Sequence, residues 1–235
     1  MFPKSEVHLI DCMEYMRQIP DKFFGLCLCD PPYGIGADKN QITKAKKRQG
    51  NSKAAWKDYG NAIWDTNAPT QEFFDEVIRV SRNQIIWGAN HFISRIPYDS
   101  PCWIVWDKDN GASDFADCEL AWTSFPTAVR RFRYRWAGML QENMKNKEER
   151  IHPCQKPVAL YGWILNTFGK KGDKIFDPMM GSGSSRIAAY ELGYDFVGCE
   201  QDKTFYEKST TRFNQECKGI YVLRNGKIAI QQKLF

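Results

Sequence analysis

The sequence lacks the features that define several large classes of protein. It has no apolar run long enough to span a bilayer and no secretory signal peptide. None of its 8 cysteines belongs to a paired C-x-x-C pattern of the kind that holds zinc. These absences exclude membrane-spanning and zinc-stabilised proteins, and they predict a reduced, cytoplasmic protein with no metal and no membrane partner.

Basic charge is concentrated in one part of the chain. At 235 residues the chain fits one domain, and its formal net charge is +5. The excess lies in a segment at about 37–60, which contains Lys39, Lys44, Lys46, Lys47, Arg48, Lys53 and Lys57. Because this segment is rich in Asn, Gln and Gly, we expect a mobile loop that folds over a nucleic-acid backbone. A solvated surface loop is the alternative.

The tetrapeptide Asp30-Pro31-Pro32-Tyr33 is the most informative segment. It follows the apolar run Phe23–Cys29, which predicts a buried strand with Cys27 and Cys29 in the core. The prolines end that strand and stiffen the turn, because proline fixes φ and cannot continue a ladder. Open α/β sheets bind ligands at the carboxyl ends of their strands. There this turn offers a carboxylate, a proline carbonyl and a flat ring, which suit the exocyclic amine and the face of a nucleobase.

Strands and helices alternate along most of the chain. The hydrophobic spacing predicts strands at Val7–Ile10, Gln84–Trp87, Cys102–Trp106, Glu119–Phe125, Lys174–Phe176 and Phe196–Cys199. It predicts helices at Cys12–Ile19, Gln71–Arg82, Val158–Phe168, Ser184–Leu192 and Phe205–Cys217. Asn225-Gly226 between two apolar runs predicts a hairpin tail at about 220–235. Alternation of this kind favours an α/β fold with a mostly parallel sheet.

A second chemical cluster lies between a predicted strand and a predicted helix. Its sequence is Phe176-Asp177-Pro178-Met179-Met180-Gly181-Ser182-Gly183-Ser184-Ser185, and its glycines allow backbone N–H groups to approach an anionic ligand. Glu200 ends the next predicted strand, where an acid can bond ribose hydroxyls. A dinucleotide fingerprint requires a third glycine where this chain has Arg186, which argues against a nicotinamide enzyme.

These segments together resemble the β group of amino DNA methyltransferases, which methylate adenine N6 or cytosine N4. Asp30–Tyr33 resembles their motif IV, Phe176–Gly183 resembles their motif I, and His152-Pro153-Cys154-Gln155-Lys156-Pro157 resembles their H-P-x-x-K-P segment. Motif IV precedes motif I, a circular permutation that is typical of the β group. The resemblance, from about Asp11 to about Phe213, implies a single bacterial or phage-encoded domain with a Rossmann-like, S-adenosylmethionine-dependent methyltransferase fold.

The resemblance also implies roles for individual residues. Asp30, Pro31, Pro32 and Tyr33 are the expected catalytic residues. The Asp30 carboxylate and Pro31 carbonyl would hold the amine of a flipped base for in-line attack on a sulfonium methyl, and Tyr33 would stack on the base. An aspartate at this position favours adenine N6 over cytosine N4. The expected cofactor-binding residues are Asp11, Cys12, Asp30, Lys156, Pro157, Phe176, Asp177, Pro178, Gly181, Ser182, Gly183, Ser184, Ser185, Glu200 and Gln201.

Three alternatives to this interpretation stay open. Pro153-Cys154-Gln155 spells the nucleophile motif of cytosine-C5 methyltransferases, although it lies inside the H-P-x-x-K-P segment. A methyltransferase for RNA or for a protein glutamine is the second, and the basic segment and Asp30 argue against the glutamine enzyme. The third is a non-catalytic protein that binds DNA or associates with a sliding clamp.

Target recognition in double-stranded DNA must come from a short region at about 127–150. There a period of two places Arg131, Arg133 and Arg135 on one face of a strand, where they could contact phosphates or guanines. An exposed edge strand whose charges block aggregation is the alternative. A region this small favours a short target, relaxed specificity or a homodimer that pools contacts.

The last residues suggest a protein partner. Gln231-Gln232-Lys233-Leu234-Phe235 resembles the peptide with which bacterial proteins dock on the replication sliding clamp. Packing of Leu234 and Phe235 against the domain, as the end of the hairpin, is the alternative.

Overall fold

A computed structural model describes residues 2–36, 65, 67–111, 116–137, 140–222 and 227–231 of the chain. The predicted DNA-contacting residues Lys39, Lys44, Lys46, Lys47, Arg48 and Lys53 lie outside the described residues, as do Gln232–Phe235 of the tail.

The described residues form strands and helices in alternation. The first half contains β1 (Ser5–Leu9), α1 (Cys12–Met16), β2 (Phe24–Cys29), α2 (Gln71–Val80), β3 (Ser81–Trp87), two 3₁₀ helices (Ala89–His91 and Ile93–Arg95), β4 (Trp103–Asp107) and β5 (Cys118–Thr123). The second half contains β6 (Arg130–Arg133), β7 (Trp136–Ala137), β8 (Leu140–Gln141), α3 (Val158–Phe168), β9 (Lys174–Asp177), α4 (Ser184–Glu191), β10 (Asp195–Glu200), α5 (Lys203–Lys218), β11 (Ile220–Val222) and β12 (Ile228–Ile230).

The central sheet of the described chain has eight strands in the order β1-β10-β9-β2-β3-β5-β4-β6. Each neighbouring pair is parallel except the two that involve β5, which runs against both β3 and β4. The prediction of a mostly parallel α/β sheet is therefore confirmed. Two small antiparallel pairs lie outside this sheet: β7 with β8, and β11 with β12, the two strands of the predicted C-terminal hairpin.

The core explains why β2 reads as a continuous apolar run. All six of its residues are buried, because helices cover both faces of a parallel sheet. Leu26 and Leu28 face one cluster, which includes residues of α3 and α4, and Cys27 and Cys29 face a second, which includes residues of α1 and α2. Cys27 and Cys29 are thus core residues, as the sequence predicts.

Several predicted boundaries are wrong: the helix predicted to reach Ile19, for example, ends at Met16, and two others follow. The helix predicted to reach Arg82 ends at Val80, and β3 begins at Ser81, whose hydroxyl donates to Val77 O and whose backbone is already extended. The alternating stretch from Arg131 to Trp136 is a continuous strand only to Arg133, although its exposure alternates as predicted. Packing decides both ends, and the local pattern of side chains carries no signal for them.

The sheet topology determines where a ligand can bind. The chain runs outward from β9 to β10, whereas the connection from β1 to β2 crosses to the other side of β9, so the strand order reverses between β9 and β2. Such a reversal opens a crevice at the carboxyl ends of the two strands. The turn that begins at Asp30 and the glycine loop that follows Asp177 meet at this edge. Among the described residues, no helix has the length and apolar character needed to cross a membrane.

Candidate active site

The turn after β2 holds a carboxylate that is bound by a buried lysine. Lys156 Nζ lies 2.5 Å from Asp30 Oδ1 and 3.1 Å from the Tyr33 hydroxyl oxygen. The Tyr33 hydroxyl in turn lies 3.0 Å from Asp30 Oδ1. The side chain of Lys156 is only 4% exposed. The structure therefore brings the H-P-x-x-K-P segment to the Asp30–Tyr33 turn, 126 positions away in sequence.

Glu119 of β5 is a second acid in this site, and sequence reasoning missed it. Its Oε2 atom lies 3.1 Å from Lys156 Nζ and 3.3 Å from the Tyr33 hydroxyl. Its Oε1 atom forms an ion pair with Lys108, which follows β4. The sequence contains one signal that could have indicated it: a charged residue next to the apolar run Leu-Ala-Trp in a predicted strand.

The charges of this cluster shift its titration in different directions. Burial, reinforced by Glu119, raises the pKa of Asp30 even though Lys156 opposes the shift. Burial also acts to raise the pKa of Glu119, but Lys156 and Lys108 outweigh it and lower that pKa to about 2. The two carboxylates raise the pKa of Lys156 despite its burial. Glu119 is consequently the carboxylate that stays ionised most firmly, and Asp30 is the one that takes up a proton more readily.

Tyr33 is held in a stack of aromatic rings. Its ring lies parallel to His91, with 5.2 Å between the centroids and 19° between the planes, and 6.4 Å from Phe92. Gly88, at φ +68°, leaves room for it: a Cβ atom there would lie 2.1 Å from Tyr33 Cε1. Of the two prolines, Pro31 is buried and Pro32 is half-buried.

The residues that follow the Asp30–Tyr33 turn are held by hydrogen bonds to Asp65. Gly34 N donates to Asp65 Oδ1 at 2.8 Å, and Gly36 N donates to the carbonyl oxygen of the same residue at 3.1 Å. The side chain of Asp65 is buried. The sequence gives no signal for this contact, because the two ends lie about thirty positions apart.

The glycine loop after β9 is shaped by a buried carboxylate. Asp177 accepts a hydrogen bond from Met179 N at 3.1 Å and a short one from the Ser185 hydroxyl at 2.5 Å. Burial raises the pKa of Asp177 to about 7. Gly181 and Gly183 both have positive φ, which a side chain would strain. Asp177 thus holds the loop from within and supports the backbone that faces the crevice.

Glu200 closes the same loop from the next strand. Its Oε2 atom accepts from Gly181 N at 2.9 Å and its Oε1 atom accepts from Asp202 N at 2.8 Å. Burial raises its pKa, while these backbone hydrogen bonds oppose the shift. The predicted ribose acid is therefore at the carboxyl end of β10, beside the glycine loop.

A buried arginine ties this loop to the segment before α3. Arg212 of α5 donates to Ser182 O at 3.2 Å and to Ser184 Oγ at 2.9 Å. Its Nη2 atom pairs with Glu148 at 2.8 Å, and Glu148 also accepts from Val158 N at 3.0 Å. The sequence did not predict this link. It connects α5, the glycine loop and the first residue of α3.

The remaining predicted cofactor residues fall into two groups. Asp11 is exposed at the end of β1, where its carboxylate caps α1, and Gln201 is exposed at the end of β10. Four others are buried supports of the crevice: Cys12, Pro157, Phe176 and Pro178. Phe176 stacks on Phe24 at 4.4 Å and belongs to the core.

The three arginines predicted to contact DNA lie at or near the edge strand β6 and are exposed. Arg133 and Arg135 both pair with the carboxylate of Asp109, at 2.7 and 2.8 Å. Asp109 has a positive φ of +46°. Arg131 lies on β6 and is exposed.

The geometry does not favour Cys154 as a nucleophile. Removal of surrounding water, together with the carboxylates of Asp30 and Glu119, outweighs the opposing effect of Lys156 and raises the pKa of the thiol to about 12. A nucleophilic cysteine requires the opposite, a lowered pKa.

Solved structures share this architecture. TTHA0409 of Thermus thermophilus aligns with 92% of this chain and 96% of its own, with a TM-score of 0.58 and 18% identity. A complex of M1.HpyAVI with SAM aligns with 89% of this chain and 98% of its own, with a TM-score of 0.57 and 20% identity. The cytosine-N4-specific PvuII DNA methyltransferase covers 97% of this chain and 98% of its own, with a TM-score of 0.55 and 10% identity. The fold is that of S-adenosylmethionine-dependent methyltransferases.

Sequence comparison identifies the family. A family model of N6/N4 DNA methylases matches residues 43–211, which is more than half of the chain. The chain therefore belongs to the N6/N4 DNA methylase family, as the resemblance at the motifs implies. The type II methyltransferase M2.MboI of Moraxella bovis is 25% identical over 248 residues, covering 87% of this chain and 86% of that protein. The type II methyltransferase M.HinfI of Haemophilus influenzae is 22% identical over 242 residues, covering 87% of this chain and 67% of that protein.

Proposed function

We propose that this protein transfers the methyl group of S-adenosylmethionine to the exocyclic N6 of an adenine flipped out of double-stranded DNA. The observation that supports this most is the meeting of two loops at one edge of the sheet. β2 and β9 are direct neighbours, with Cys27 opposite Phe176, so the Asp30 turn and the Gly181 loop begin side by side. A methyl donor and an acceptor amine need that adjacency, since in-line transfer requires reacting atoms about 3–3.5 Å apart.

The crevice fits the proposed cofactor in its donor set. Gly181 and Gly183 present backbone without side chains, and Glu200 and Asp11 place acids at the ends of the two neighbouring strands. We assign the methionine part to the glycine loop and the ribose hydroxyls to Glu200. S-adenosylmethionine would supply a methyl group on a sulfonium, which needs no metal to be attacked.

The residues of the turn would prepare the amine. Its lone pair is delocalised into the base, so it is a weak nucleophile. Lys156 and Tyr33 both use Asp30 Oδ1, which assigns Oδ2 to one N–H of the amine and the Pro31 carbonyl to the other. These hydrogen bonds would draw the nitrogen toward a tetrahedral shape, and Tyr33 would stack on the ring.

Substitution in the turn tests this assignment. We expect Asp30→Asn and Tyr33→Ala to lower methyl transfer to DNA by about 100-fold or more, because each removes a group that acts directly on the amine or the base. Circular dichroism should show that the fold survives. The measurement is incorporation of labelled methyl from S-adenosylmethionine, and Asp99→Asn and Tyr98→Ala are matched exposed controls. Turnover near that of the unsubstituted protein in either turn variant would contradict the mechanism.

Analysis of the reaction product identifies which base is methylated. Cytosine N4 is the second candidate, since the amines of adenine and cytosine offer the same geometry and the similarly folded PvuII enzyme is cytosine-N4-specific. Nucleoside analysis of DNA after reaction should yield N6-methyl-2′-deoxyadenosine. A product of N4-methyl-2′-deoxycytidine would change the assigned base and leave the assigned site unaltered. Transfer to RNA or protein, or no transfer at all, would overturn the proposed function.

DNA contacts are assigned to the exposed arginines of the edge strand and to the basic segment at about 37–60. The three arginines, Arg131, Arg133 and Arg135, lie on or next to β6, the edge strand that pairs with β4. The basic segment follows the Asp30 turn directly in sequence. Both can neutralise phosphates, which gives most of the affinity of a DNA-binding protein. Pooling of such contacts in a homodimer is part of the same proposal, and sedimentation with and without DNA tests it.

The tail supports a separate proposal, that Gln231–Phe235 docks on a sliding clamp. Gln231 N donates to Gly219 O at 2.8 Å, which fixes the point at which the last residues leave the hairpin. Ile228 and Ile230 beside it are 68% and 72% exposed. Deletion of residues 231–235 should abolish binding to a purified bacterial clamp. Equal binding, or none in either form, would contradict the proposal.

A further inference from the structure

We propose that Glu119 is a positioning residue of the active site: it serves as the permanent counter-ion of Lys156 while Asp30 alternates between its ionised and protonated forms. The inference rests on the proposed function, because it assigns Asp30 the proton that the target amine loses. Glu119 lies on β5, outside every motif that the sequence presents.

The geometry gives Lys156 three acceptors for its three N–H groups. These are Asp30 Oδ1 at 2.5 Å, the Tyr33 oxygen at 3.1 Å and Glu119 Oε2 at 3.1 Å. The other oxygen of Glu119 is held by Lys108. The four charges therefore alternate in a row, Asp30, Lys156, Glu119 and Lys108, and sum to zero before reaction.

The reaction releases a proton that this row can accept. The amine nitrogen forms a bond to the methyl carbon as the carbon–sulfur bond breaks, and the bonding pair stays on sulfur. The nitrogen, now positive, loses one N–H proton to Asp30 Oδ2, and that electron pair returns to the nitrogen. The positive charge that began on the sulfonium is thereby carried by the proton to Asp30, whose carboxylate becomes neutral.

Glu119 lowers the free-energy cost of that proton transfer, because it keeps a negative charge beside Lys156. Lys156 is buried, and loss of the only counter-ion of a buried ammonium is strongly destabilising. When Asp30 takes the proton, Glu119 remains ionised against Lys156, and Lys108 keeps Glu119 in place. Water exchange then returns the proton from Asp30 to solvent after the methylated base leaves.

The groups that face this row come from several elements. They are Asp30 and Tyr33 of the turn after β2, Lys108 after β4, His152, Cys154 and Lys156 before α3, Tyr161 of α3 and Asp177 of β9. Burial raises the pKa of Tyr33 and Tyr161 well above the usual value and raises that of Cys154. Asp30 is consequently the group of this row placed to exchange a proton with the amine.

The variant Glu119→Gln tests the proposal, because it keeps the size of the side chain and removes its charge. We expect kcat to fall about 10- to 100-fold, a range typical of groups that support a directly acting residue. KM for S-adenosylmethionine should stay unchanged, since Glu119 does not contact the glycine loop. The acid limb of the single-turnover pH profile should move to lower pH, because Glu119 no longer raises the pKa of Asp30. Glu119→Asp should recover part of kcat.

Two controls separate this role from a structural one. Glu76→Gln removes an acid paired with Arg79 on α2, remote from the turn, and should leave kcat and the pH profile unchanged. Carbon-13 NMR of labelled aspartate, with the Asp30 signal assigned by Asp30→Asn, should show Asp30 titrating at lower pH in Glu119→Gln. An unchanged titration of Asp30, or a fall in kcat without movement of the acid limb, would overturn the inference. If the unsubstituted protein does not methylate DNA, the proposed function fails, and the NMR titration still decides whether Glu119 controls Asp30.

Discussion

At the scale of single residues, the position of the Tyr33 ring depends on a residue without a side chain. Gly88 follows β3 in the left-handed region, at φ +68°, and the Tyr33 ring occupies the space that a Cβ atom would need. The ring then reaches His91 on one side and the Asp30–Lys156 pair on the other. Tyr33 therefore cannot keep its place if Gly88 acquires a side chain.

Replacement of Gly88 by alanine should test this dependence. We expect Gly88→Ala to lower the free energy of unfolding by about 2–4 kcal/mol, through backbone strain and displacement of the ring, and to abolish methyl transfer. Gly111→Ala is the matched control, because Gly111 has φ +62° but nothing lies within 4 Å of its added Cβ. It should cost about 1 kcal/mol with activity retained. Denaturant unfolding and labelled-methyl assays measure both. Equal effects of the two substitutions would show that strain alone matters at Gly88.

At the scale of elements, the loop between β9 and α4 is organised around one buried acid. Asp177 links Met179 at the start of the loop to Ser185 in the first turn of α4. Glu200 and Arg212 hold the same loop from β10 and α5. The loop is thus pre-formed by three neighbouring elements, which reduces the entropy that a ligand must overcome when it binds.

The titration of Asp177 should appear in the stability of the protein. Its pKa is raised to about 7 in the folded state, against about 3.9 unfolded, so the folded state binds the extra proton between these values. Stability should therefore fall as pH rises from about 4 to about 7, by at most about 4 kcal/mol from this group. Asp177→Asn, whose amide can satisfy the same two neighbours, should flatten that part of the profile of Tm against pH. The exposed Asp75→Asn should leave the profile unchanged; the same slope in Asp177→Asn would contradict the assignment.

At the scale of the whole molecule, charge is distributed unevenly with respect to the sheet. The turn that begins at Asp30, proposed to be catalytic, lies at the carboxyl edge of β2, and the basic segment follows it in the chain. Lys170 and Lys171 lie instead just before the amino end of β9, at the opposite edge of the sheet. A DNA duplex bound for catalysis would approach the first edge and leave the second in solvent.

This asymmetry predicts a difference in salt dependence. Lys46→Gln/Lys47→Gln should reduce the slope of log Kd against log salt for a DNA duplex by about 1–2, because each phosphate contact releases about one counterion. The matched double substitution Lys170→Gln/Lys171→Gln removes the same charge and should leave the slope unchanged. Fluorescence anisotropy across a salt series measures both. Identical slopes in the two variants would place the DNA elsewhere.

The sequence by itself determined the alternation of strands and helices, the buried strand that ends before Asp30, and the two loops to which the proposed chemistry is assigned. These features are local: proline and glycine restrict or free φ, and apolar periodicity is read over a few residues. The family followed from the same segments, and the sequence comparison confirmed it.

Only the tertiary structure decided which side chains meet at the site. Lys156 reaches Asp30 across 126 positions, Glu119 reaches Tyr33 across 86, and Arg212 reaches Glu148 across 64. No local pattern encodes such contacts, because they arise from the order in which strands pair and helices pack. The reversal of strand order between β9 and β2 brings these residues to one crevice. There the opposite charges of their neighbours keep Glu119 and Lys156 ionised against the effect of burial, while burial raises the pKa of Asp30.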